Sequence, residues 1–243
     1  MNTTKLYRHS LLLSLISALL LLGTGCVKRV EKSAKAEEAE RWKASLTDSI
    51  AALQKQISAN ELRLDELHDR VGIMLGDFDH VSNPREVNGY LILKGWSGSY
   101  PLTSTGLVAR ITDDEEFELV AALKGGTFTQ IAVTVDGHTA QSAVVPHDQA
   151  LNYRHAGLNT VAFQGAETDS VAACIASDEL APATLSFLDG RTTGTWAIPE
   201  RNRKMISDTW RLYSCRREAQ RLEASLPTLN SKIAAIRRMI DEK

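Results

Sequence analysis

Two apolar runs of equal length, one towards each end, constrain this chain more than any other feature. Leu46, Ile50, Leu53, Ile57, Asn60, Leu64, Leu67, Val71 and Met74 follow one another at alternating spacings of four and three. Leu212, Cys215, Ala219, Leu222, Leu226, Leu229, Ile233, Ile236 and Ile240 do the same. That is the a/d signature of a coiled coil. Paired antiparallel, Met74 meets Leu212, Val71 meets Cys215, Leu67 meets Ala219, and the last layer sets Leu46 against Ile240. Such a hairpin predicts a rod of about 43 Å at 1.5 Å per residue. The register puts Arg70 across from Glu218, which helps, and Glu61 across from Glu223, which does not. Asn60, the one polar core residue of the first run, falls beside Leu226 and Pro227. A proline inside a helix frees the carbonyl four residues back, so the Asn60 amide is expected to donate to the carbonyl of Glu223. A buried asparagine also penalises slipped registers, which makes Asn60 and Pro227 the register-setting pair. Parallel self-association of each run is the alternative, so a homo-oligomer stays open.

Between the runs, over residues 85–198, the period changes. Short β-rich stretches alternate with turn residues: "GYLILKG", "GLVARI", "FELVAAL", "IAVTV", "TAQSAVV", "NTVAF", "SVAACIA", "TLSFL" and "TGTWAI". Asp136-Gly137 and Asp189-Gly190 are hairpin signals; "ITDDEEFEL" and "FQGAETDSV" read as two more. The segments "VDGHTAQSAVVP" and "LDGRTTGTWAIP" share Asp-Gly, a threonine two residues on, a β-run and a final proline. The hairpins before them slide into register without a gap, Ala109 over Ala162. The expected fold is therefore α+β: a long antiparallel coiled-coil helical hairpin stalk carrying an inserted all-β antiparallel head. The head would be a duplicated four-stranded unit closed as a sandwich or barrel, with Pro146 and Pro199 ending the two units.

The first residues have a different character. Lys5 and Arg8 precede Leu11–Leu22, a nearly pure apolar run that ends on Gly23-Thr24-Gly25-Cys26. The run falls short of the about 20 residues that span a bilayer, and a charged start, apolar core and small-residue exit make an export signal. "LLGTGCVKRV" resembles the lipobox of bacterial lipoproteins, with Gly23 where that family usually has an aliphatic residue. The resemblance implies that residues 1–25 are removed and that the sulfur of Cys26 carries a diacylglyceryl anchor. It also implies a chain held in the bacterial cell envelope. Val27 in place of an aspartate favours the outer membrane, and Lys28-Arg29 in place of an acidic run favours the periplasmic face over surface exposure. Domain order is then signal 1–25, lipidated Cys26 and polar spacer 26–38, first coiled-coil helix 39–80, β head 85–198, and second coiled-coil helix 200–243.

Removal of the signal leaves roughly 218 residues, enough for one sizeable core or two small ones. A net charge of -2 with both signs interspersed argues against a nucleic-acid partner. Cys174 and Cys215 lie in no CxxC or cysteine-histidine cluster; two buried or half-buried thiols are expected, and the sequence leaves their pairing open. "GWSGS" lacks the final glycine and the strand-to-helix turn of a nucleophile elbow. Asp113, Asp114, Glu115 and Glu116 read as a solvated hairpin turn instead of an acid pair, and His147, Asp148 and His155 match no closed metal site. No catalytic residue, metal or cofactor is therefore expected. The loop "PHDQALNYRHAG" and the exposed aromatics before it point to a ligand-contact patch of Trp96, Tyr100, Asn152, Tyr153 and Arg154.

The reading is a non-enzymatic, lipid-anchored envelope protein that presents its head for binding or scaffolding, with membrane lipid and an envelope protein or glycan as partners. One alternative is a subunit of an envelope transport or secretion assembly that uses the coiled coil as its contact surface. The other is an envelope glycan hydrolase.

Overall fold

A computed structural model describes residues 4–82, 89–96, 102–148 and 151–242, the stretch up to residue 34 as backbone alone. The chain divides into two compact units, Met1–Glu61 with Ala224–Lys243, and Leu62–Glu223. Two long helices, α1 (Thr4–Leu75) and α3 (Glu200–Asp241), contribute to both. In the first unit Leu229 and Ile233 are buried, and Pro227 lies inside α3.

The second unit holds the strands. They are β1 (Phe78–Val81), β2 (Tyr90–Leu93), β3 (Gly106–Thr112), β4 (Phe117–Lys124), β5 (Gln130–Val135), β6 (His138–Gln141), β7 (Asn152–His155), β8 (Leu158–Phe163), β9 (Ala183–Leu188) and β10 (Thr192–Ile198), with α2 (Ala166–Ser177) between β8 and β9. A six-stranded sheet runs β1-β2-β3-β4-β8-β7 and a four-stranded sheet β10-β9-β5-β6, both antiparallel among the described residues.

Strand chemistry explains this order. Asp136 and Gly137 both adopt positive φ, 45° and 79°, which closes the tight β5–β6 turn that matches strand twist. Asp189-Gly190 joins β9 to β10, where a register shift follows between Thr192 and Gly194. The two Asp-Gly hairpins lie side by side, because β5 pairs β9 from Gln130↔Leu188 to Val135↔Ala183. Every residue of β4 except Lys124 is buried, so this strand is covered on both faces. On one face the ring of Phe117 meets Trp210 of α3 edge-on, centroids 5.3 Å apart, and Tyr213 at 5.5 Å. Phe128 joins the two sheets, 6.2 Å from Phe163 and 4.9 Å from Phe187.

The structure corrects the expected fold in three respects. Among the described residues there is no long antiparallel helical hairpin stalk. The helices are unequal, 72 and 42 residues, and the head-side half of each apolar run belongs to the globular unit. Leu212, with Met205, Ile206 and Tyr213, is buried in one cluster with Leu107, Leu119 and Phe163, and Val71 and Met74 pack against that cluster. Only Leu67, Cys215 and Ala219 form a separate group, edged by Leu64, Val71 and Leu222. An apolar stripe dictates that a helix must bury one face, and a sheet satisfies it as well as another helix does.

Second, the head is not all-β. "SVAACIA", read as a strand, lies in α2, where Thr168, Val171, Ala172 and Ile175 are the buried residues. Their spacing is a helical stripe. Glu167 and Asp169 in the first turn suit the positive end of the helix dipole.

Third, the described residues form no duplicated four-stranded unit. Where the first half has β4 the second has α2, and the strands sort by sheet instead of by half: β3, β4 and β8 in one, β5, β6, β9 and β10 in the other.

Ser207 of α3 is fully buried and its Oγ has no hydrogen-bond partner among the described residues. An unpaired buried hydroxyl costs about 1–3 kcal/mol. Ser207→Ala is therefore expected to raise stability by about 1 kcal/mol, read as a higher urea midpoint. A lower midpoint would mean that the hydroxyl is bonded.

Candidate functional site

The residues expected to form a ligand patch do not converge. Trp96, after β2, is buried, with the guanidinium of Arg201 4.4 Å above its ring and Arg201 Nη2 donating to the Gly95 carbonyl. Asn152, Tyr153 and Arg154 lie on β7, at the far edge of the same sheet. Four strand spacings separate β2 from β7, roughly 19 Å. Tyr100 lies outside the described residues.

Asn152 is a structural residue. It is 1% exposed, and its Nδ2 donates to the carbonyls of Phe128 and Val145. Asn159, fully buried, donates to Asn152 Oδ1 and the Tyr153 carbonyl and accepts from the Phe128 N–H. This pair ties β7 and β8 to the segment before β5, so among the described residues of the expected patch Tyr153 and Arg154 are the exposed ones. A third of the loop that carried them is strand: Ala156 and Gly157, φ 50° and 79°, form the tight turn from β7 into β8. His147 Nδ1 sits 3.1 Å from Asn152 Oδ1, and Asp148 accepts the N–H groups of Leu151 and Asn152. Among the described residues no group of three or more His, Cys, Asp or Glu could hold a metal.

The acidic turn after β3 is exposed, as expected of a hairpin turn, and two of its carboxylates are also paired. Asp113 pairs with His80 at 2.9 Å and accepts the Gly89 N–H at 3.0 Å. Glu115, at φ 63°, pairs with Arg216 and Gln220 of α3. These carboxylates are tethers.

Other residues do come together. Arg63 and Arg70 of α1, Ser177 of α2, and Trp210, Arg211, Ser214 and Glu218 of α3 line a groove of about 380 Å³ within the second unit. Arg63 holds Glu218 in a two-pronged pair, Nε to Oε1 at 2.8 Å and Nη2 to Oε2 at 3.1 Å. The Arg63 guanidinium accordingly keeps the Glu218 carboxyl below the usual range. Arg211 is bound to Glu179 and to Asp208. Arg70 is exposed and has no hydrogen-bond partner among the described residues; its charge only adds to the field at Glu218. The groove thus offers one uncommitted guanidinium beside two hydroxyls and a half-buried indole.

A second charged group is internal. Arg110 and Glu118 stand directly opposite on β3 and β4, their side chains 11% and 5% exposed, Nε donating to Oε2 at 2.5 Å. Gln164 donates to the other carboxylate oxygen at 2.5 Å, and Tyr90 lies 4.6 Å under the guanidinium. Every oxygen is engaged, which makes this a structural pair. The sequence carried a signal for it: one arginine and one glutamate, each four residues from Asp114, in strands otherwise apolar but for their ends at Thr112 and Lys124.

The register pair differs from expectation in its partner. Asn60 Nδ2 donates to Ser225 Oγ at 3.1 Å, not to the Glu223 carbonyl. Glu223 instead pairs with His68, and Glu218 with Arg63 in place of Arg70. Cys174 is a half-buried free thiol, raised by burial, and Cys215 a buried one. Cys26 lies in the part of α1 described by backbone alone. No described helix is long and apolar enough to cross a membrane.

No family model matches the chain, and neither the curated proteins nor the solved structures contain a significant match.

Proposed function

We propose that this chain is a non-enzymatic, lipid-anchored protein of the bacterial envelope, held by acylated Cys26, whose globular unit binds an envelope partner. The anchored reading rests on Gly23-Thr24-Gly25-Cys26 after a short apolar run. The binding reading rests on Arg70. A guanidinium left unpaired in a groove with an indole and two hydroxyls suits a carboxylate or phosphate carried by an envelope glycan or protein. The carboxylates with the strongest claim to acid chemistry, Asp113 and Glu115, are engaged in holding the fold, which supports binding over hydrolysis. Outer membrane and periplasmic face remain the favoured location.

The test uses the full chain in cells, with a photo-reactive amino acid at Ser214. An adduct is expected whose yield falls about tenfold on Arg70→Glu, since reversing one partner of a charge pair acts on both attraction and steering. Thr184→Glu on β9 should leave it unchanged. An adduct indifferent to the charge at position 70 would remove the groove from the reading.

A further inference from the structure

At the rim of the groove the fold holds a leucine in water. Leu180, just beyond α2, is 84% exposed, more than any other large apolar side chain among the described residues. Single exposed leucines are common; this one differs in how firmly its backbone is fixed. Asp178 Oδ1 accepts the N–H groups of Leu180 at 3.0 Å and Ala181 at 3.1 Å. Arg203 Nε donates to the Glu179 carbonyl at 3.1 Å, and the Glu179 carboxylate pairs with Arg211. Arg211 lines the groove, as does Ser177, three residues before Leu180. An apolar side chain pre-set in its turn loses little freedom when a partner buries it.

The charges beside it are also patterned. Arg70 is the uncommitted cation on the α1 side of the groove. On the α2 side Asp178 is exposed and has no cation partner among the described residues; its Oδ1 accepts backbone N–H groups only. A matching partner carries an anion for Arg70 and an apolar pocket for Leu180, edged by a cation for Asp178. A glycan has no apolar pocket to receive an isobutyl group. An anionic lipid surface would be repelled by Asp178 where Leu180 enters it. A folded protein supplies all three features.

We propose, on the basis of the anion-binding groove described above, that its occupant is a protein and that Leu180 is the anchor side chain which that protein buries.

The test uses the full chain in its native cells. One chain carries the photo-reactive residue at Ser214, and a second carries a diazirine-bearing aliphatic residue in place of Leu180. Both are expected to label the same protein, identified by the partner peptide that mass spectrometry recovers from each adduct. Leu180→Ser should lower the Ser214 adduct about tenfold, and Leu180→Met should leave it unchanged. Asp178→Asn keeps the acceptor oxygen of the turn and removes the charge; it should lower the adduct about threefold. At 84% exposure Leu180 is outside the core, so an unchanged urea midpoint is expected for both of its variants. An adduct that depends on Arg70 yet ignores Leu180→Ser or Asp178→Asn overturns the leucine anchor and leaves the groove as an anion site. So does an added mass that is a glycan or a lipid, or a pair of positions that label different proteins. An adduct indifferent to the charge at position 70 removes both assignments.

Discussion

Glu118→Ala is expected to cost about 3–5 kcal/mol of folding stability, the largest loss at any charged residue among those described. The substitution leaves the Arg110 guanidinium, 11% exposed, without its counter-charge, and deprives Gln164 of its acceptor. Arg110 cannot shed its proton to escape, because an arginine stays charged at any ordinary pH. Against a typical domain stability of about 5–15 kcal/mol, such a loss brings the globular unit near its unfolding threshold. The effect belongs to the broken pair and not to the pair's own worth. Arg110→Met combined with Glu118→Leu is therefore expected to recover most of it, since apolar replacement of a buried ion pair is often neutral. Urea unfolding of both variants measures the difference. A loss under about 1 kcal/mol for Glu118→Ala would mean that water reaches the site and that the pair behaves as a surface one.

Periodicity showed that residues 46–74 and 212–240 each bury a stripe, and Leu67, Cys215, Ala219, Leu229 and Ile233 are indeed buried. It could not show against what. Leu212 was matched to Met74 as a coiled-coil layer, whereas it belongs to a core shared with both sheets. Helix α2 was legible in principle, since Thr168, Val171, Ala172 and Ile175 are spaced for one helix face. The short apolar run "SVAACIA" imitates a buried strand, and length alone does not separate the two. β7 was hidden because its turn is Ala156-Gly157, and alanine is a poor signal for a positive φ. The Asp-Gly turns, whose residues suit that backbone, were readable at once.

The groove was less accessible still. Its residues come from three helices far apart in the chain, and nothing local marks them as neighbours. Arg63 and Arg70 occupy equivalent heptad positions on one stripe, so sequence can bring either to Glu218. The structure gives the pair to Arg63, and that choice leaves Arg70 uncommitted. Asn152 illustrates the opposite error. A polar residue in a polar-looking loop was read as available, while it is 1% exposed and bonded to two backbone carbonyls.

The other large effect is all-or-none. If Cys26 carries a diacylglyceryl group and an acyl chain on its freed amine, the chain has the two or more hydrocarbon tails that stable anchoring requires. Cys26→Ser removes the sulfur on which that chemistry depends. Cys174 and Cys215 provide no substitute, being half-buried and buried in the folded unit. The most direct measurement is metabolic labelling with a fatty-acid analogue in the native cell, followed by membrane fractionation and mass spectrometry of the mature N-terminus. The wild type should take up label, sediment with the outer membrane and begin at a modified Cys26, while Cys26→Ser should lose label completely. A wild type that begins at an unmodified residue 26, or a Cys26→Ser chain that still carries label, would contradict the anchored reading.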